Sequence, residues 1–135
     1  MKVILGSNNN IGSYAIKLFT WSNWSHAGVI VNNKVIEARG STGVVESSLE
    51  DFKKNYPTNK IIDIPHEGDY QARLHKQVGK DYDWGAIFKF VLRGDWSETS
   101  KWFCFELVAY ASGVLNPKYL DRVTATHLLM VSKEG

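Results

Sequence analysis

The feature that most constrains the fold is the pair Asn32-Asn33, which is flanked on both sides by runs rich in Val and Ile. Asparagine tolerates the positive φ that both central residues of a two-residue turn require. The pattern therefore predicts a β-hairpin made of residues 26–31 and 34–38. One face of this hairpin is uniformly apolar, so the sequence predicts that this face belongs to the core.

The other face of the predicted hairpin brings His26 and Glu37 together. A turn at the two asparagines places Gly28 opposite Glu37 and makes His26 a diagonal neighbour of Glu37. Such neighbours have Cβ atoms about 7 Å apart, so an imidazole and a carboxylate can meet, and Gly28 is expected to leave the space between them open. A carboxylate beside a histidine fixes its tautomer and raises its basicity. The alternative, a surface His beside a surface Glu, is left open by the spacing alone.

The rest of the chain predicts an α+β fold. A chain of 135 residues with 44% hydrophobic residues is long enough for one core and too short for two, so residues 1–135 are expected to form a single domain. Besides the hairpin, the patterns predict strands at 3–5, 44–47 and 60–64 and helices at 11–20, 49–55, 67–78, 85–92 and 102–112. The segment 123–131 fits either a helix or a strand.

Charge and hydropathy disfavour several classes of partner. Sixteen basic and fourteen acidic residues give a net charge of only +2, so no nucleic-acid partner is expected. There is no apolar stretch of about 18 to 20 residues, so no transmembrane segment is expected, and the first residues do not resemble a signal peptide. The expected protein is cytoplasmic or phage-encoded, and its oligomeric state is left open. The spacing of His66 and His75 fits no common zinc motif, so neither a metal nor a cofactor is expected.

Cys104 is the single cysteine of the chain, so it cannot form an intrachain disulfide, and a zinc site of several cysteines is excluded. It is either a buried filler residue or a reactive thiol. Cys104 falls in the first turns of the helix predicted at 102–112, where unpaired backbone N–H groups and the helix dipole favour a thiolate. Together with an oriented histidine, this position predicts a Cys–His pair for nucleophilic catalysis.

Three segments carry a resemblance to a known family: SHAGVIVNNKVIEARGSTGVVESSL, GKDYDWGAI and KWFCFELVAYASG. Together they resemble the permuted branch of the NlpC-type, papain-like cysteine hydrolases, the YiiX-like group. The resemblance covers residues 25–112 and implies a circularly permuted papain-like fold, in which an antiparallel sheet packs against helices. It implies Cys104 as the nucleophile, His26 as the general base, Glu37 as the orienting residue and Tyr82 as a substrate-binding residue.

The function that the resemblance implies is that of a cysteine peptidase or amidase-type hydrolase. Such an enzyme cleaves an amide bond through a thioester acyl-enzyme, here on Cys104. The implied substrate is a peptide or an acyl-amide, with cell-wall (peptidoglycan) fragments as one class. Two alternatives stay open: an acyltransferase or lipid esterase that uses the same site, and a catalytically idle phage or bacterial binding module that keeps the fold.

Overall fold

An antiparallel sheet organises the part of the chain that the computed structural model describes, which is residues 1–7, 24–39, 43–79, 107–114 and 125–133. Its five strands are β1 (Lys2–Ser7), β2 (His26–Val31), β3 (Lys34–Arg39), β4 (Gly43–Ser48) and β5 (Thr58–Asp63), in the order β4-β3-β2-β1-β5. The helices in these ranges are α1 (Leu49–Asn55), α2 (Tyr70–His75), α3 (residues 107–112) and α4 (Ala125–Val131). This confirms the α+β class and the antiparallel sheet.

The central hairpin has the turn and the register that the sequence predicts. Asn32 and Asn33 have φ values of 52° and 63°. The pairing of β2 with β3 runs from Val31 opposite Lys34 to Gly28 opposite Glu37. Because side chains alternate along each strand, this register places His26 and Glu37 on the same face of the sheet.

The two faces of the sheet have different chemical character. We call one the packed face; it belongs to the main core, and its buried strand residues are Val3, Leu5, Ala27, Val29, Val31, Ile36, Ala38 and Ile62. Buried side chains of α2, α3 and α4 belong to the same cluster. We call the other the polar face, which carries His26, Glu37, Arg39 and Ser47 beside the small apolar cluster of Ile4, Val35 and Phe52.

Helix α1 packs on the polar face, and its bounds are those that the sequence predicts. It begins after Ser48, whose side chain accepts a hydrogen bond from the backbone N–H of Asp51 at 3.0 Å. Its one buried side chain is that of Phe52. The helix is therefore anchored to the sheet by a single aromatic residue in its middle, with Tyr56 following directly after its end.

The helix predicted at 67–78 is shorter in the structure, because its start is set by Asp69. The Asp69 side chain accepts from the backbone N–H of Ala72 at 3.0 Å, so α2 begins at Tyr70. Glu67 instead donates its backbone N–H to the carbonyl oxygen of Ser112 at 2.8 Å. The segment before α2 therefore extends along the end of α3 instead of joining the helix.

The end of α3 is fixed by one arginine. Arg73 donates from Nε and Nη2 to the carbonyl oxygen of Ala111, at 3.2 Å and 2.7 Å, and from Nη2 to the carbonyl oxygen of Glu67. Gly113 follows with a φ of 71°, as expected for a glycine that ends a helix. The carboxyl end of the helix predicted to carry Cys104 is thus tied to α2.

The remaining strand and helix predictions differ from the structure mainly at their ends. Strand β5 begins two residues earlier than predicted, since its pairing with β1 extends to Thr58 opposite Ser7. The segment that fitted either a helix or a strand contains the helix α4. The helices predicted at 11–20 and 85–92, and the first part of that at 102–112, lie outside the described residues.

Candidate functional site

The candidate site begins with His26 and Glu37, which the hairpin brings together. His26 is the first residue of β2, and its Nε2 lies 3.4 Å from Oε1 of Glu37. Glu37 is fully buried at 0% exposure, and His26 is 8% exposed. The pair is therefore inside the protein, so the alternative of a surface His beside a surface Glu is wrong.

Two side chains donate hydrogen bonds to the Glu37 carboxylate. Arg39 donates from Nε to Oε1 at 2.6 Å, and Ser47 donates from Oγ to Oε2 at 2.9 Å. Burial alone would raise the pKa of Glu37, but its interactions with His26 and then with Arg39 outweigh burial and lower the pKa to about 2. Glu37 is therefore ionised at neutral pH and can orient the imidazole.

Aromatic rings fix the orientation of the His26 imidazole. The ring of Tyr56 stacks on it with a centroid distance of 4.8 Å and an interplanar angle of 14°. The ring of Phe52 is stacked at 5.7 Å. Gly6, on the neighbouring strand, permits this arrangement, since a Cβ there would lie 2.8 Å from Cβ and Cγ of Tyr56. The imidazole thus has stacked rings against its plane and a carboxylate oxygen 3.4 Å from Nε2.

The role predicted for Gly28 is wrong in one respect. The space above its Cα is filled, because a Cβ there would overlap Cγ1 of Val35 and lie 3.3 Å from Cβ of Glu37. Gly28 therefore does not leave an opening between His26 and Glu37. It lets Val35 and Glu37 pack closely over the backbone of β2, which seals this side of the pair.

Cys104 and Tyr82 lie outside the described residues. Helix α3, which is the described part of the helix predicted at 102–112, belongs to the core of the packed face, whereas the His26 ring lies on the polar face.

Sequence reasoning missed Arg39 and Ser47 as partners of Glu37, and the stacking of Phe52 and Tyr56 on His26. One signal was available for Arg39, because it lies two residues after Glu37 in the same strand and therefore on the same face. Ser47 reaches Glu37 only through the register of β4 against β3, in which Val45 lies opposite Glu37. The stacking of Phe52 and Tyr56 on His26 depends on which face of the sheet α1 covers, and the sequence of α1 does not identify that face.

Within the described ranges, no group of three or more His, Cys, Asp and Glu side chains could hold a metal ion. In the same ranges, no helix has the length and apolar character needed to cross a membrane. Comparison of the chain with protein-family models, with curated proteins and with solved structures gives no match.

Proposed function

We propose that the chain is a cysteine hydrolase of the permuted papain-like type, which cleaves an amide bond with Cys104 as nucleophile and His26 as general base. The observation that carries the proposal is the buried pair in which Nε2 of His26 lies 3.4 Å from the Glu37 carboxylate. A general base of this kind needs one ring nitrogen anchored and the other available to the nucleophile. Since Nε2 faces Glu37, Nδ1 is the nitrogen assigned to the thiol.

In the proposed reaction, Nδ1 of His26 takes the proton of the Cys104 thiol while the sulfur attacks the carbonyl carbon of the amide. The resulting imidazolium is stabilised by the ionised Glu37. The C–N bond then breaks, His26 gives its proton to the leaving amine, and a thioester remains on Cys104. Water attacks the thioester with His26 as base, and the proton returns to the sulfur as the acid leaves.

The proposed substrate class is a peptide or an acyl-amide, with cell-wall peptides as the leading members, and Tyr82 is proposed as a substrate contact. This assignment is supported by the resemblance of the segments around His26, Tyr82 and Cys104. The reaction needs no metal or redox cofactor, because the thiol supplies the nucleophile and the imidazole supplies the base.

The test is to look for the acyl-enzyme itself. The parent chain and Cys104→Ser are incubated separately with a peptidoglycan peptide digest and with lipid esters, and both protein and products are analysed by mass spectrometry. We expect the parent to release amines from the digest and to carry the mass of an acyl group on Cys104. Cys104→Ser should form neither the thioester nor the products.

The other outcomes separate the alternatives. Turnover of the lipid esters alone would identify a lipid esterase, and transfer of the acyl group to an added amine in preference to water would identify an acyltransferase. Absence of adduct and of product with every substrate would contradict the proposal and favour an idle binding module. Lys34→Gln is a matched control, because Lys34 belongs to the same hairpin and forms an exposed ion pair with Glu46.

A further inference from the structure

Two nitrogen groups share one oxygen of Glu37. Nε of Arg39 lies 2.6 Å and Nε2 of His26 lies 3.4 Å from the same Oε1. The guanidinium makes the shorter contact and has the donor geometry of a hydrogen bond. Because both contact one atom, the guanidinium and the imidazole lie side by side on the polar face.

This arrangement changes the charge balance at His26. An arginine side chain keeps its positive charge throughout the pH range of proteins. Arg39 therefore neutralises Glu37 before any proton is added to His26. A proton on the mostly buried imidazole would place a second positive charge beside the guanidinium, which like-charge repulsion and desolvation both oppose. A buried histidine paired with an isolated carboxylate would lack the repulsion and would keep only the cost of desolvation.

The other titratable groups around the pair reinforce the charge of Arg39. Its pKa is raised, first by the hydrogen bond to Glu37, and electrostatic interactions with Tyr56 and Asp51 act in the same direction. Among the described residues, the charged and titratable groups with a stated contact or electrostatic interaction with His26 or Arg39 include Glu37 on β3, Tyr56 in the stack and Asp51 on α1, the last acting on Arg39. The cation beside them is Arg39.

We propose that Arg39 is a positioning residue for the base: its guanidinium occupies the Glu37 oxygen that a charged His26 would otherwise neutralise, so His26 stays uncharged with its Nε2 beside Glu37. The inference rests on the proposed function in assigning His26 as the base. It goes further by naming the group that keeps this base able to accept a proton at mildly acidic pH. The charge state of the imidazole can be measured without any substrate.

The test is an NMR titration of the His26 imidazole, assigned by comparison with His26→Gln and made in a Cys104→Ser background. In Arg39→Gln we expect the titration midpoint to rise by about one pH unit, because the repulsive charge is gone while Glu37 remains. Arg39→Lys should keep the midpoint near that of the parent. Glu37→Gln should move it in the opposite direction, downward.

Lys34→Gln is the matched control, since it removes one positive charge from the same strand at a residue whose side chain is 62% exposed. It should leave the midpoint unchanged. Arg39→Met is a second variant that removes the charge. The test needs only one of Arg39→Gln and Arg39→Met to be folded, as judged by a native amide spectrum. A midpoint in the folded variant equal to that of the parent would overturn the proposal. A lower midpoint would also overturn it, since Arg39 would then act only by holding Glu37 in place.

The result of the NMR titration can be distinguished from the result of the test of the proposed function. The titration uses neither the thiol nor a substrate, so a chain without hydrolytic activity can still show the rise in Arg39→Gln. In that case the proposed function fails and the inference about Arg39 stands. Where activity is present, the acidic limb of its pH profile should move upward in Arg39→Gln, in parallel with the NMR midpoint.

Discussion

The packed face and the polar face come from the same strands, yet they place neighbouring residues in opposite environments. On β3, Ile36 points into the main core, while Glu37, the next residue, points into a buried cluster of polar groups. A substitution on the packed face removes apolar contacts, whereas one on the polar face changes charge and orientation. The difference teaches that a packed-face substitution can lower stability without changing the charges of the proposed site, whereas a polar-face substitution changes both.

The largest effect on stability is expected on the packed face. Ile36 has 0% exposure, so Ile36→Ala removes buried methyl groups and leaves a cavity. We expect a loss of about 2 to 5 kcal/mol in the free energy of unfolding, measured by urea denaturation. Ile36→Val, as a matched variant, should lose about 0.5 to 1.5 kcal/mol. Equal losses in the two variants would contradict the assignment of Ile36 to a tightly packed core.

Glu37→Gln should show a stability loss that depends on pH. The folded pKa of Glu37, about 2, lies below its ordinary value of 4.5. Its ionisation therefore stabilises the fold fully above pH 4.5, and this stabilisation is lost as the pH falls through 2. At pH 7 we expect a loss on the order of 2 to 3 kcal/mol by urea denaturation. A difference from the parent that stays constant between neutral and strongly acidic pH would show that charge is not the cause.

The hairpin and the fold class could be predicted because their signals are local. Asn32-Asn33 determines the turn, the turn determines the register, and the register places His26 beside Glu37. Likewise, α1 was predictable because Ser48 and the residues after it carry a local helix-start signal. These features depend on residues that are close together in the chain.

The remainder of the site depends on contacts between separate elements. The hydrogen bond of Ser47 to Glu37 requires the register of β4 against β3. This register cannot be predicted from the sequence of the segment that connects the two strands. The pair Phe52 and Tyr56 has helical spacing, which identifies a common side of α1 but not the face of the sheet that it covers. Burial of Glu37 follows from these contacts and could not be predicted from the hairpin alone.

A smaller effect is expected from Gly28→Ala, which tests how closely the polar face is packed. The new Cβ would overlap Val35 and press on Cβ of Glu37, so the loss should be about 1 to 3 kcal/mol. The melting temperature would report this loss. Gly6→Ala should lose less, since its Cβ would lie 2.8 Å from the nearest atoms, which belong to Tyr56, whereas that of Gly28→Ala would lie 2.4 Å from Cγ1 of Val35. An unchanged melting temperature in Gly28→Ala would contradict the close packing of β2 beneath Glu37.

The most direct test of the central claim is the alkylation rate of Cys104 as a function of pH. The chain has one cysteine, so iodoacetamide labelling followed by mass spectrometry reports on this thiol alone. A thiol paired with His26 should react about tenfold or more faster at pH 6 than a free thiol with a pKa of about 8.5. We expect this excess to disappear in His26→Ala and to persist in Lys34→Gln. Equally slow, base-dependent labelling of the parent and His26→Ala would show that the two residues do not form a catalytic pair.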